Sequence, residues 1–410
     1  MSENPTDIKF IPASSPRVSP RLNVLENKFL HKLFLLTHAP AGWPTWQLVL
    51  LGLGYTLLAA VGWGLAGYNP ALPAIICALF ILGDGLLFRH LPRARRSFGA
   101  IGPQLVVTAV PRVGAAWLAA LVAWATGAWA IGLGLLVGLQ LFGSMVYLWG
   151  ALREPFALGV TKQTVVSPHL SAAGPPLRLL HLSDLHMERL TCREESLPAL
   201  AAQLQPDVIV ITGDYLNLSY VDDPTAREHV RRVLAQLHAP LGVYATLGSP
   251  PVDRRGTTPS LFEGLDIRLL RDEVALLSLS EGGQVALLGL DCEHDLESDS
   301  SALRGLVGQI PAGAMPILLY HSPELMPLAQ QFPIELYLCG HTHGGQIRMP
   351  GYGAVLTSSS TGKRYEMGRY DEQGTTLYVS RGIGLEGLSA PRMRLLCPPE
   401  IILFTLVGER

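Results

Sequence analysis

Residues 177–186, LRLLHLSDLH, are an apolar run that ends on an Asp-x-His pair, Asp184 and His186. A short unbroken apolar run closed by polar turn residues reads as a strand buried on both faces. Polar residues directly after such a strand lie in the loop at its end, where α/β folds place binding groups. The pattern recurs along the chain. DVIVIT (207–212) leads into Gly213-Asp214, and PILLYH (316–321) ends on His321. IELYLC (334–339) runs into Gly340-His341-Thr342-His343-Gly344-Gly345. GVYATL (242–247), VALLGL (285–290), 376–380 and 401–406 read as further strands, with helical patterns over 191–205 and 226–237. Strands joined partly by helices and partly by hairpin-length turns predict a mixed-sheet α/β sandwich.

The residue types in these loops point to metal chemistry. Asp and His together suit borderline divalent ions such as Mn²⁺, Fe²⁺ or Zn²⁺. One shared carboxylate can bridge two ions, and such a pair can hold a phosphate and turn a bridging water into hydroxide. Each piece alone is weak. Four pieces, each closing a strand, carry the reading together.

These residues resemble the calcineurin-like metallophosphoesterase superfamily. The SDLH (183–186) and GHTHGGQ (340–346) signatures, with YVSRGIGLEGLSAPRMRLLCPPEI (378–401), are similar to its membrane-attached bacterial branch. The resemblance spans about 177–407. It implies a four-layer sandwich of two mixed sheets flanked by helices, and a phosphohydrolase that uses metal-activated hydroxide on phosphoester or pyrophosphate bonds. It also implies that Asp184, His186 and His343 bind a first ion, that Asp214 bridges, and that His321 and His341 bind a second. Asp214, His341 and Ser249 are the expected catalytic group.

One departure stands out. The superfamily carries Gly-Asn-His-Asp/Glu after its third strand, where the Asn ligates the second metal and the His assists the leaving group. Here the continuation is Gly248-Ser249-Pro250-Pro251. Serine is a poorer ligand than an amide oxygen, and proline offers no acid. Asp253, Arg254 and Arg255 are nearby candidates to substitute, against a reading as solvated loop charges. A catalytically impaired metal- or phosphate-binding sensor or scaffold is therefore the alternative. His181 reads as a core residue. Asp291, Glu293, His294 and Asp295 form an acidic cluster placed like a substrate-side loop, against the commoner reading as a solvated turn, and Arg381 and Arg392 read as either phosphate contacts or structural pairs.

Outward from this domain the composition changes. Of 410 residues, 49% are hydrophobic and only 16% charged, which is apolar for a soluble protein. The excess lies in 46–152. Asp84 is the only charge between Trp46 and Phe88, and Arg112 the only one in 104–152. Turn signals at Gly67-Tyr68-Asn69-Pro70 and near Gly127 divide these blocks into four runs, each long enough to span a bilayer. Asp84 and Arg112 are expected to pair or to snorkel, or else to meet a lipid headgroup. Basic residues cluster before the first run (Lys9, Arg17, Arg21, Lys28, Lys32), after the second (Arg89, Arg93, Arg95, Arg96) and after the fourth (Arg153, Lys162). The positive-inside rule puts those segments, and the phosphoesterase domain, in the cytoplasm of a multi-pass inner-membrane protein.

The expected organisation is a disordered or interfacial tail over 1–45, four transmembrane helices over 46–152, a linker over 153–176 and the phosphoesterase domain over 177–410. The bilayer and a phosphorylated small-molecule or lipid substrate are the expected partners. A net charge of −2 gives no basic field for nucleic acid. Five scattered cysteines, none at CxxC spacing, fit reduced thiols.

Overall fold

The computed structural model describes residues 10, 11, 32, 36–280 and 283–409, and it divides into two units. Most of the tail expected over 1–45 lies outside the described residues.

The helical unit holds α1 (Thr45–Leu65), α2 (Ala71–His90), α3 (Ile101–Thr126) and α4 (Trp129–Leu152). All four are long and apolar enough to cross a membrane. The two hairpins break where the turn signals lie, and Gly127 closes α3 in the left-handed conformation at φ 66°. Small residues meet at the centre, where Ala59, Ala116, Ala119, Ala120 and Ala123 pack with Trp63 and Leu136. Arg112 sits well inside α3 and forms a bidentate ion pair with Asp84 of α2, at 2.6 and 2.5 Å. The segment Glu386–Met393 belongs to this unit, not to the phosphoesterase unit that encloses it in sequence. Gln104 holds it through the Ala390 carbonyl and the Arg392 N–H.

The second unit is a sandwich of two sheets. One has six strands: β1 (Gly159–Ser167), β2 (Leu177–Leu182), β3 (Val208–Thr212), β4 (Val243–Thr246), β5 (Arg268–Leu269) and β12 (Glu400–Gly408), in the order β1-β12-β2-β3-β4-β5. The other joins β6 (Glu273–Ser278), β7 (Gln284–Gly289), β8 (Ala314–Leu319), β9 (Leu336–Cys339), β11 (Thr375–Val379) and β10 (Gly368–Glu372) in that order, with the pair Phe10–Ile11 added beside β6. Both sheets mix parallel and antiparallel pairs.

Alternation across each strand builds the layers. Leu177 and Leu179 of β2, with Val208 and Val210 of β3, face the core between the sheets. Leu180, Leu182, Ile209 and Ile211 face the opposite way, toward α5 (Cys192–Gln203) and α6 (Pro224–Leu234). On the far side Ala286, Leu288 and Leu318 pack on Leu303 and Leu306 of α7 (Leu296–Val307). Burial on both faces is why these strands read as continuous apolar runs. The result is helix, sheet, sheet, helix: the four-layer arrangement the resemblance implied.

The residues read as a linker, 153–176, contain β1. It pairs in parallel with the whole of β12, from Gly159 opposite Glu400 to Ser167 opposite Gly408. Its polar centre, Thr161 to Thr164, breaks the apolar signal, because an edge strand is held mainly through its backbone.

Candidate metal centre

Parallel strands β2, β3 and β4 end side by side, and β8 and β9 end likewise in the other sheet. The loops after them carry the predicted ligands. The turns are sharp. Asp184, His186, Asp214, His341 and His343 all have positive φ, between 39° and 70°. Such backbone costs about 1–3 kcal/mol per non-glycine residue and concentrates at functional sites. Two glycines allow the close approach. A Cβ on Gly340 would lie 1.9 Å from Asp184 Oδ2, and one on Gly213 would lie 2.4 Å from the Gly248 backbone.

The six expected ligands form two buried triads: Asp184, His186 and His343, and Asp214, His321 and His341. Asp214 stands between them, its Oδ2 3.4 Å from His186 Nε2 and 3.2 Å from His321 Nε2. Asp184 Oδ1 lies 3.6 Å from His343 Nε2 and accepts the His341 N–H at 3.0 Å. His186 and His343 turn their Nε2 atoms toward each other at 2.9 Å.

The donor set fits divalent ions. Asp184 Oδ2, His321 Nε2 and His341 Nε2 are buried polar atoms without a hydrogen-bond partner among the described residues. Native proteins rarely leave such atoms unsatisfied, and a cation at each triad would answer them. Burial holds the His341 and His343 imidazoles well below their usual pKa, keeping them neutral as ligation requires. Burial alone would raise the Asp214 carboxyl, but His321 and His186 hold it well below the ordinary range. His321 is oriented from behind by its Nδ1, 2.7 Å from the Thr212 carbonyl.

The Ser249 corner differs from expectation. Ser249 is buried, and its N–H donates to Asp214 Oδ1 at 2.7 Å. Its Oγ lies 3.1 Å from His294 Nε2 and 3.4 Å from His341 Nδ1. His294 is thus a buried member of the site and not part of a solvated turn. Its ring lies against His341 with centroids 4.6 Å apart, and its Nδ1 is 3.7 Å from Glu324 Oε2. Burial would lower this imidazole, but Cys292 and Glu324 outweigh it and push it up to about 10. The rest of the acidic cluster is structural. Asp291 pairs with Arg271 and Glu293 with Arg255, while Asp295 caps α7 through the Glu297 and Ser298 N–H groups.

Asp253 is not a solvated loop charge either. It is fully buried and accepts the N–H groups of Asp214, Gly248 and Tyr215 at 2.7, 2.8 and 3.2 Å. It therefore ties the Asp214 loop to the Ser249 loop. Arg254 is exposed and pairs with Asp222, and Arg255 also reaches the Gly248 and Asp253 carbonyls. His181 is a core residue bonded to Thr212, and Arg381 pairs with Glu400. Arg392 bonds the Leu388 and Ala390 carbonyls. Arg394, which lies within the 378–401 signature but was given no role of its own, is fully buried with Nη2 3.5 Å from His343 Nδ1.

The model of the calcineurin-like phosphoesterase family matches residues 177–249. The chain is 30% identical over 267 residues to the uncharacterized metallophosphoesterase YkuE of Bacillus subtilis, covering 63% of this chain and 89% of that protein. The chain belongs to the calcineurin-like metallophosphoesterase family. It is also 25% identical over 324 residues to the UDP-2,3-diacylglucosamine pyrophosphatase LpxG of Chlamydia trachomatis, covering 65% of this chain and 94% of the relative. Phosphodiesterase YaeI of Escherichia coli is 26% identical over 242 residues, covering 57% and 83%. As a family member the chain is a metal-dependent phosphoesterase. Calcineurin-like phosphoesterases use two divalent metals, and the two triads are the matching clusters here.

Proposed function

We propose that this protein is a membrane-anchored dinuclear phosphohydrolase whose site faces the cytoplasm and whose substrate is a phosphoester or pyrophosphate, lipid-linked in class. The observation that carries the reading is the Asp214 carboxylate lying between the two triads. Asp184, His186 and His343 would hold one ion and His321 and His341 the other, with Asp214 placed to serve both. When bound, the two ions supply hydroxide at neutral pH and neutralise phosphate charge.

The chain's own groups do the rest. The Ser249 N–H fixes Asp214 in its bridging rotamer. Ser249 Oγ takes the corner where relatives place an amide. His294, pinned by Glu324, supplies an imidazole N–H at that corner and takes over the role of the missing motif histidine. It holds a hydrogen at Nε2 toward Ser249 Oγ and toward the leaving oxygen of a bound phosphate.

Four apolar helices support the anchor, and the basic segments around Arg89–Arg96 and Arg153 support the orientation. The lipid-linked class is supported by the relative named as a pyrophosphatase of a diacylated UDP-sugar. Ser249-Pro250-Pro251 favours a second reading, a sensor or scaffold that binds metal or phosphate without turnover. The full chain in detergent, assayed with an aryl phosphodiester and with a nucleoside-diphosphate acyl-sugar, separates them. Hydrolysis abolished by chelation and by Asp184→Ala or His321→Ala supports the enzyme. Bound ions with no turnover of either substrate support the scaffold.

A further inference from the structure

The helical unit contains a cavity of about 420 Å³ between α3 and α4, lined by Val107, Pro111, Arg112, Gln140, Gly143 and Tyr147 among others. Its walls are mostly apolar, and Tyr147 and Arg112 are among the polar residues that line it. Tyr147 is only 9% exposed, and its hydroxyl has no hydrogen-bond partner among the described residues. The ring is fixed edge-on against Phe88 with centroids 5.6 Å apart, so the hydroxyl has a set direction. Arg112 gives Nε and Nη2 to Asp84, Nη2 also to Ser144, and one Nη1 hydrogen to Gln140 Oε1. Pro111 has no N–H, so the Val107 carbonyl loses its partner one turn on.

Inside a bilayer no bulk water answers such groups, and each unsatisfied one costs several kcal/mol. The Asp84–Arg112 pair is already neutral, so the cavity does not call for an anion. It calls for a mainly apolar ligand with a hydrogen-bonding group at one point. We propose that this cavity is a binding site for one acyl lipid. The chain fills the apolar walls, and the ester or amide carbonyl at its head accepts from Tyr147 Oη–H. The volume, on the order of a dozen waters, holds part of one chain with its linkage. The inference shares only the bilayer placement with the proposed hydrolase. It concerns a site built by the helices themselves.

Photolabelling of the full chain in phosphatidylethanolamine vesicles tests it with two probes. One is phosphatidylethanolamine with a diazirine on its acyl chain, and the other is a diazirine alkane without any carbonyl. The acyl probe should label 107–115 and 139–147 about fivefold above the outward-facing Leu57 and Leu79. Gly143→Leu should abolish that enrichment for both probes. Added atoms there meet nothing within 4 Å of the Cβ, so the helix is not strained and aryl phosphodiester hydrolysis should persist. Tyr147→Phe should lower acyl-probe labelling about fivefold and leave alkane labelling unchanged. Even labelling of all outward faces in the unaltered chain, as an ordinary lipid annulus or a water-filled cavity would give, overturns the proposal. So does an equal response of the two probes to Tyr147→Phe.

Discussion

The two sides of the metal centre are built differently. On the Asp184 side, every candidate ligand comes from a short motif directly after a strand, and the groups that touch them include the Cys397 thiol and the buried Arg394 guanidinium. On the Ser249 side, the motif is broken, and the groups that fill the corner come from elsewhere. Ser249 follows β4, His294 precedes α7, and Glu324 follows β8. The first side is defined by local sequence and the second by tertiary assembly. The candidate ligands can therefore keep their places while the groups around one corner of the site come from elsewhere in the fold.

The comparison breaks most completely at the residue both sides share. Asp214→Asn removes the bridging charge, so ion content should fall and aryl phosphodiester hydrolysis should drop by more than about 10⁴-fold, a modest part of the acceleration enzymes reach. Metal analysis and rate on one preparation check this. If only one ion is lost and most activity persists, Asp214 does not bridge.

His294→Ala should sharpen the comparison by sparing the Asp184 side. Ion content should stay unchanged while turnover of substrates with poor leaving groups falls about 10²–10³-fold. Activated aryl esters should be affected far less. Partial recovery in His294→Gln, which keeps a donor, would mark a hydrogen-bonding role. An equal loss on both substrate types would show that the residue only supports packing.

Asp253→Ala tests the tie between the Asp214 and Ser249 loops. Three buried N–H groups would lose their acceptor, and the expected destabilisation is about 3 kcal/mol, read as a lower thermal midpoint. Ions should stabilise the variant and restore part of the loss. The smallest effect is expected from Arg254→Ala. Its exposed pair with Asp222 is worth no more than about 0.5 kcal/mol, and hydrolysis should not change. A large rate effect there would move Arg254 into the site.

What the sequence made legible follows the same division. The buried strands were readable because both faces are covered, which leaves unbroken apolar runs such as 177–182 and 207–212. The six candidate ligands, which the fold brings together as two triads, could be picked out because they lie in loops that follow such runs. The four apolar helices and the Asp84–Arg112 pair were readable from hydropathy and the scarcity of charge. β1 was hidden by its polar edge position. His294 and Asp253 were hidden because charge in a loop looks alike whether solvated or buried. Only the packing of α7 and the β4 loop carries them inward. The one available signal was the absence of a histidine at Pro250, which implied that another group must come from elsewhere.

Ion stoichiometry measured together with turnover tests the central claim most directly. The full chain, stripped by a chelator and reloaded with Mn²⁺, should bind two ions per chain and recover aryl phosphodiester hydrolysis only as the second ion binds. Hydrolysis that survives chelation, or full activity with a single ion bound, would contradict the two-metal account.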